Sequence, residues 1–387
     1  MIHHGHAAAG FDAVAEAFWD ALGNDPAAGG SLAISRRGEL VVDLWGGVAD
    51  RRTGAPWTDQ TVSVIFSCTK GLTALMVAQL VQQGLVDYGT PVVDIWPEFG
   101  AAGKGSATVR DLLAHQAGLS APREAMTVDD IVDWERATSL LARQEPLWVP
   151  GEGWAYHAIT HGWLGGELVR RLTGMSVGDY FRDSVVAPLG VDAWIGLPAE
   201  QGPRVAYMWA AQSLLELTEQ RERDQHDPGQ EWLQRAMTLG GALPADLVGD
   251  GTGFNDPRIR AAQIPGAGGI ANARALATIW ASTVVQTNGV RLLDDATLDA
   301  ALVPQVDGPP VFDSPPPWPR WGMGFQLGSD ARRYLSDSSF GHDGAGGQVA
   351  FADREHELGF AFLTAGMEAD DLRATRVIDA LRDVLAE

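Results

Sequence analysis

The placement of strand and helix patterns is what most restricts the fold of this 387-residue chain. Residues 31–35 and 39–45 are apolar, β-branched runs around Arg36-Arg37-Gly38, a short hairpin turn with its glycine where positive φ is easiest. Strand patterns return only at 321–327, 348–352 and 358–364. Between them, from about Asp94 to Gly190, helical spacing dominates at 109–116, 129–143, 159–172 and 177–186. Strands at both ends with helices between predict one α/β sheet domain made from residues 1–93 and 265–387, and an inserted helical domain at 94–264. Further helices are expected at 11–22, from an N-cap at Asn272 to about Gln286, and at 370–385. Residues 192–263 form an irregular segment with helical patches at 205–219 and 231–239, the kind of insertion that shapes substrate pockets. The proline-rich stretch 309–319 reads as a rigid surface connection.

Composition narrows the function classes. With 28 Lys plus Arg against 50 Asp plus Glu, the net charge of −22 repels phosphate backbones and anionic membrane surfaces. Nucleic-acid and membrane partners are therefore not expected. Cys68 is the sole cysteine, which excludes an intrachain disulfide and reads as a small packing residue. There is no secretory signal pattern and no apolar run long enough to span a bilayer, so a cytoplasmic protein is expected. His3, His4 and His6 read as a disordered terminus or a tag remnant rather than a metal site. His157 and His161 lack the glutamate that a zincin places between them, so no metal is expected.

Chemistry is concentrated in three segments. Ser67-Cys68-Thr69-Lys70 stands directly before an apolar helical run, and residues three apart share a helix face, so the Ser67 hydroxyl and the Lys70 amine can meet. A neighbouring amine can take the serine proton or, as a cation, stabilise the alkoxide, and the helix N-terminus adds its positive end. The second segment, Pro150-Gly151-Glu152-Gly153-Trp154-Ala155-Tyr156-His157-Ala158, presents Tyr156 on a turn-rich approach to a helix. Beside a protonated Lys70 its phenol pKa would fall enough for a proton shuttle. The third, Gly341-His342-Asp343-Gly344-Ala345-Gly346-Gly347, opens an apolar strand. Its glycines permit close backbone approach to a ligand, and a strand N–H there can join that of Ser67 in an oxyanion hole.

Together these segments resemble the serine β-lactamase and penicillin-binding-protein superfamily, most closely its class C branch and the family VIII carboxylesterases. Ser67-Cys68-Thr69-Lys70 matches Ser-x-x-Lys, Tyr156-His157-Ala158 falls where class C has Tyr-x-Asn, and His342-Asp343-Gly344 falls where the lactamases have Lys-Thr-Gly. The resemblance implies an α+β, β-lactamase/DD-peptidase-like fold, an antiparallel sheet flanked by helices with an inserted mostly helical domain. It further implies Ser67 as nucleophile, Lys70 and Tyr156 as proton carriers, the Ser67 and Ala345 N–H groups as oxyanion donors, and His342 and Gly344 at the substrate.

The departures bear on substrate. Ala158 replaces an amide that would meet the side chain of a β-lactam, and His342 replaces a permanently charged lysine that would meet its carboxylate. A carboxylesterase for small, short-acyl esters, working through an acyl-enzyme with no cofactor, is therefore expected, with weak β-lactam hydrolysis at most. The same site could serve a D-amino-acid amidase, peptidase or acyltransferase, or survive on a non-catalytic binding scaffold. Trp154, Trp209 and Trp318 are candidates for lining an acyl or alcohol pocket, with His157 beside them as a tuning or solvent-facing residue. Gly174-Met175-Ser176-Val177-Gly178 mimics a nucleophile elbow, but a helix precedes it and Ser176 with Asp179 forms a capping signature. His115 reads as a structural histidine.

Overall fold

In the computed structural model, which describes residues 3–23, 25–223 and 228–386, an antiparallel sheet runs through the centre of the molecule. Its strands are β1 (His3–Ala7), β2 (Gly29–Arg36), β3 (Glu39–Asp50), β4 (Arg320–Trp321), β5 (Gln326–Leu327), β6 (Ser339–Asp343), β7 (Val349–Asp353) and β8 (Leu358–Thr364). They lie in the order β1-β3-β2-β8-β7-β6-β5-β4, and off this path the short strand Ala55–Pro56 pairs antiparallel with β3. The helices used below are α1 (Asp12–Leu22), α2 (Cys68–Gln82), α3 (Trp134–Arg143), α4 (Thr160–Thr173), α5 (Gln212–Arg223), α6 (Pro228–Thr238), α7 (Ala273–Val284) and α8 (Arg373–Ala386).

Side-chain size alternates along the central strands, and the alternation sorts the helices onto two faces. Leu32, Ile34, Phe360 and Phe362 pack with Phe18 of α1 and Ile378 of α8. The neighbours of opposite parity, Ala33, Ala350 and Ala361, belong to the other core with Ala277 and Trp280 of α7. Small residues let α7 sit almost on the backbone of the sheet: a Cβ at Gly359 would lie 2.1 Å from the Ala277 carbonyl oxygen. Register pairs Phe360 with Ile34 and Phe362 with Leu32, so a one-residue slip would exchange the two faces.

Helix α2 has no polar face. Every residue from Cys68 to Leu80 is buried, because α2 lies between the sheet and the helical part of the chain. Among the described residues no helix is long and apolar enough to cross a membrane.

Several sequence expectations need correction. His3–Ala7 is not a disordered terminus; it pairs with β3, and His3 stacks on Trp19 with ring centroids 3.9 Å apart. The helix expected over 129–143 is two, Val128–Val132 and α3, because the Asp133 side chain accepts the Arg136 N–H and restarts the helix. Residues 205–211 are not helical: Trp209–Ala210 pairs with Gly366–Met367, and α5 begins only at Gln212. Residues 321–327 are two short strands around Gly324, whose φ of 84° breaks the run. The strand β6, which ends in His342 and Asp343, was absent from the sequence reading altogether. Ser176 does cap a helix, accepting the Asp179 N–H at 3.1 Å, and the preceding helix ends at Gly174 with φ 71°.

One close approach positions the site described next. A Cβ on Gly162 of α4 would lie 1.8 Å from the Gly266 nitrogen, and one on Gly266 would lie 2.1 Å from the Ile159 carbonyl oxygen. Gly162→Ala must push the loop at 265–266 off α4, an overpacking cost of about 3 kcal/mol, at the upper end of the usual range. Urea denaturation should show that loss, and a change within about 0.5 kcal/mol would mean the loop yields freely.

Candidate active site

The turn into α2 presents Ser67. Phe66 before it has φ 44°, a left-handed value uncommon for a bulky residue, and is held by an edge contact with Phe254 at 5.3 Å. Ser67 itself has helical φ −66° and ψ −11°, and its side chain makes no capping bond. Thr69 does the local hydrogen bonding: its hydroxyl donates to the Phe66 carbonyl at 2.5 Å and accepts the Gly269 N–H at 2.9 Å. The Ser67 hydroxyl is thereby left to Lys70, whose Nζ lies 2.9 Å away.

Lys70 is fully buried, and among the described residues no carboxylate lies against it. Its Nζ donates to the carbonyls of Ala158 and, at 2.7 Å, Gly266. Ala158 O, Gly266 O and Ser67 Oγ thus give Nζ three acceptors, and the contact with Ser67 becomes the path for the serine proton when the amine is neutral. Burial pushes the Lys70 pKa well below the ordinary lysine value, which favours that neutral form. Only Cys68 opposes the shift, and its own buried thiol is pushed well up and stays protonated.

Tyr156 is partly buried, with its ring centroid 4.9 Å from Lys70 Nζ. Burial raises its pKa, and the hydrogen bond with Ser67 offsets this only in part. The expected lowering by a lysine cation is thus overturned: burial dominates and moves the phenol upward. Ser67, Lys70 and Tyr156 are nevertheless brought together, as the motifs implied.

The third segment closes the site from β6. Gly344 cannot carry a side chain, since a Cβ there would lie 2.3 Å from the Ile65 carbonyl oxygen, and its N–H bonds Gln348 O at 2.7 Å. Among the described residues, neither the Ser67 nor the Ala345 backbone N–H has a protein acceptor. His342 is 2% exposed, and its Nδ1 lies 2.6 Å from the Asp343 carbonyl, which places the proton on Nδ1.

Three further histidines lie behind Tyr156: the His115 ring packs on it, and the rings of His157 and His161 lie 5.6 and 4.8 Å from that of His115. His157 is buried rather than solvent-facing: Nδ1 bonds Ala155 O at 2.7 Å and Nε2 accepts the Leu119 N–H at 3.1 Å. His115 Nδ1 accepts the His157 N–H at 3.1 Å, and His161 Nε2 donates to Leu113 O at 3.1 Å. Burial lowers the pKa of all four imidazoles, His157 and His161 to about 3. They therefore add no positive charge beside Lys70. His115, expected as a structural histidine, is satisfied at Nδ1 alone, its buried Nε2 having no partner among the described residues, while its ring packs on Tyr156 at 5.0 Å and Trp321 at 4.5 Å.

A cavity of about 230 Å³ opens beside Tyr156 and Ala158, and α5 and α6 supply most of its remaining walls, with Leu233, Ala236 and Met237 as the apolar part. The tryptophans proposed for this role are elsewhere. Trp154 is buried with Val306 and Trp321, Trp318 packs on that cluster, and Trp209 sits under Arg51. The residues that sequence reasoning missed are the Ala158 and Gly266 carbonyls and the α5–α6 walls. Backbone carbonyls carry no residue-type signal, and only the glycines at 266 and 268–269 hinted at a close approach. Among the described residues, no cluster of His, Cys, Asp or Glu suits a metal ion.

Comparison with known proteins places this geometry. A profile of the Beta-lactamase family matches residues 11–382. The esterase/beta-lactamase LipL of Mycobacterium tuberculosis is 34% identical over 345 residues, 87% of this chain and 76% of that protein. A family VIII carboxylesterase crystal structure superposes with a TM-score of 0.87 at 33% identity, covering 99% of this chain and 100% of the other. A penicillin-binding-protein homologue from Caulobacter crescentus gives 0.83 at 31% identity, with 99% and 100% coverage.

The protonation of Lys70 has a measurable consequence for stability. With the folded pKa depressed below that of the unfolded chain, the folded state binds fewer protons in the interval between the two, so stability rises with pH across it. Lys70→Met removes that contribution. Its unfolding free energy should rise less steeply between pH 7 and 10 than that of the wild type, by up to about 1.4 kcal/mol per pH unit. Parallel pH dependences would mean Lys70 is protonated in the fold.

Proposed function

The chain belongs to the beta-lactamase family, and from that premise we propose that it is a serine carboxylesterase for small, short-acyl esters, working through an acyl-enzyme on Ser67. The observation that carries this reading is the buried Lys70 amine, held by two carbonyls with its Nζ 2.9 Å from the Ser67 hydroxyl. Ser67 Oγ attacks the ester carbonyl while Lys70 takes its proton, which answers how a weak nucleophile is activated without histidine. The oxyanion forms against the Ser67 and Ala345 N–H groups, which have no other protein acceptor among the described residues. Tyr156, protonated at neutral pH, gives its proton to the leaving alkoxide and recovers one from the Lys70 ammonium. Water then attacks the acyl-enzyme, with Lys70 again as base.

Ester preference is supported by what surrounds the nucleophile. Ala158 offers the substrate a methyl group where an amide would hold a peptide-like acyl chain, and His342 is neutral with Nδ1 already committed to Asp343 O. Neither can anchor a β-lactam. The apolar part of the cavity stabilises short acyl chains by ~0.8 kcal/mol per methylene buried. The similarity to LipL, an esterase/beta-lactamase, and to a family VIII carboxylesterase supports an esterase.

Ser67→Ala should abolish both turnover and covalent labelling by a fluorophosphonate; labelling that persists would place the nucleophile elsewhere. Tyr156→Phe deletes only the hydroxyl and should lower kcat by about 10² to 10⁴. Near-normal turnover in that variant would remove Tyr156 from the proton path. A kcat/KM for a cephalosporin above that for acetyl and butyryl esters would contradict the substrate preference.

A further inference from the structure

The cavity beside Tyr156 holds one charged side chain, Arg221 of α5, and no carboxylate among its described lining residues. That sign is contrary to the molecule as a whole, whose net charge is −22. Arginines on this surface are commonly paired: Arg223, two residues on, contacts Gln220 at 3.3 Å and Glu219 at 4.0 Å. Arg221 forms no ion pair with any described carboxylate. Around it the lining is amide and hydroxyl rather than acid, with Gln230 and Gln234 of α6 and Thr218 of α5. Thr218 donates to Leu215 O at 2.8 Å, which leaves its oxygen lone pairs and the two amides to complete a polar pocket around a guanidinium.

We propose that Arg221 makes this cavity selective for esters that carry a carboxylate a few atoms from the scissile bond, such as half-esters of short dicarboxylic acids. The inference rests on the esterase reading and narrows its substrate class. A guanidinium pairs with a carboxylate through two parallel N–H donors, and it keeps its charge at any pH the fold tolerates. The anchor thus comes from α5, not from β6, where neutral His342 stands. Selection works through contrast: the acidic exterior repels anions at a distance, and among the described lining residues of the cavity the charged side chain is a cation. Arg221 is exposed, so solvent screening puts the advantage at about tenfold, the lower end for a charged hydrogen bond.

The test compares p-nitrophenyl hemiglutarate with p-nitrophenyl 5-methylhexanoate, in which an isopropyl group stands in for the carboxylate. The wild type should favour the half-ester in kcat/KM. In Arg221→Gln the ratio should fall about tenfold, Arg221→Lys should restore part of it, and Arg223→Gln should leave it alone. An alcohol-side pair, the butyrate esters of 4-hydroxybutyrate and of 4-methylpentanol, shows which half of the substrate carries the recognised charge. A ratio unmoved by Arg221→Gln in both pairs, or moved equally by Arg223→Gln, overturns the proposal. Calorimetry on Ser67→Ala needs no turnover: tighter binding of monomethyl glutarate than of methyl 5-methylhexanoate, lost with Arg221→Gln, supports the charge selection. Equal binding there refutes the selection even in an active esterase, whereas charge-selective binding without any ester turnover refutes only the esterase reading.

Discussion

The buried amine of Lys70, shared between two backbone carbonyls and one serine hydroxyl, is the interaction on which the rest of the site depends. A charged ammonium so far from water and without a counter-ion would cost several kcal/mol, and the described residues place none against it. The chain supplies acceptors instead, from residues 158 and 266, which reach Lys70 from widely separated parts of the sequence. Burial is what favours the neutral amine, and the three acceptors hold Nζ in place against Ser67. Gly162 and Gly266 make that packing attainable by letting the loop and α4 touch backbone to backbone. The Thr73 hydroxyl, donating to Pro265 O at 2.9 Å, ties the same loop to α2 one turn beyond Lys70.

The sheet serves the site by fixing where β6 ends. Large side chains on one face and alanine or glycine on the other hold α7 close beneath β7 and β8, and β6 continues their register through Gly341 opposite Phe351. At the end of β6, the Asp343 carboxylate lies 2.8 Å from Arg332 Nε, and Arg332 reaches Thr375 of α8 at 3.0 Å. The strand end is thus tied to the terminal helix behind it while Gly344 presses on Ile65 in front. That brings the Ala345 N–H to the same side as the N-terminus of α2, where two backbone donors can face one reacting oxygen.

How much of this was legible depended on whether side chains or backbone carried the information. Ser67, Lys70 and Tyr156 could be read because their types and spacing are unusual, and the Asn272 cap and the hairpin at Gly38 because local hydrogen bonding and φ decide them. The strand β6 was hidden: Ser339-Phe340-Gly341-His342-Asp343 holds one large apolar residue, and its extended state comes from β5 and β7 on either side. His3–Ala7 was hidden for the same reason, since only pairing with β3 makes it a strand. The phenol of Tyr156 was assigned the wrong shift because its burial cannot be seen in sequence. The tryptophans misled because aromatic residues in loops resemble pocket walls, whereas here Trp154 and Trp318 close a small core of their own.

The chain contains only two lysines, Lys70 and Lys104, which allows the central claim to be observed directly. Burial lowers the Lys104 pKa as well, to about 8, with its Nζ donating to the Ala101 carbonyl at 2.8 Å. A carbon-13 NMR titration of protein labelled at lysine Cε should give two resonances, assigned by their loss in Lys70→Met and Lys104→Met. At pH 7 the account predicts the Lys70 resonance already at the neutral-amine shift while Lys104 is still largely protonated. A Lys70 resonance at the ammonium shift at pH 7, titrating near the ordinary lysine value of about 10.4, would contradict it.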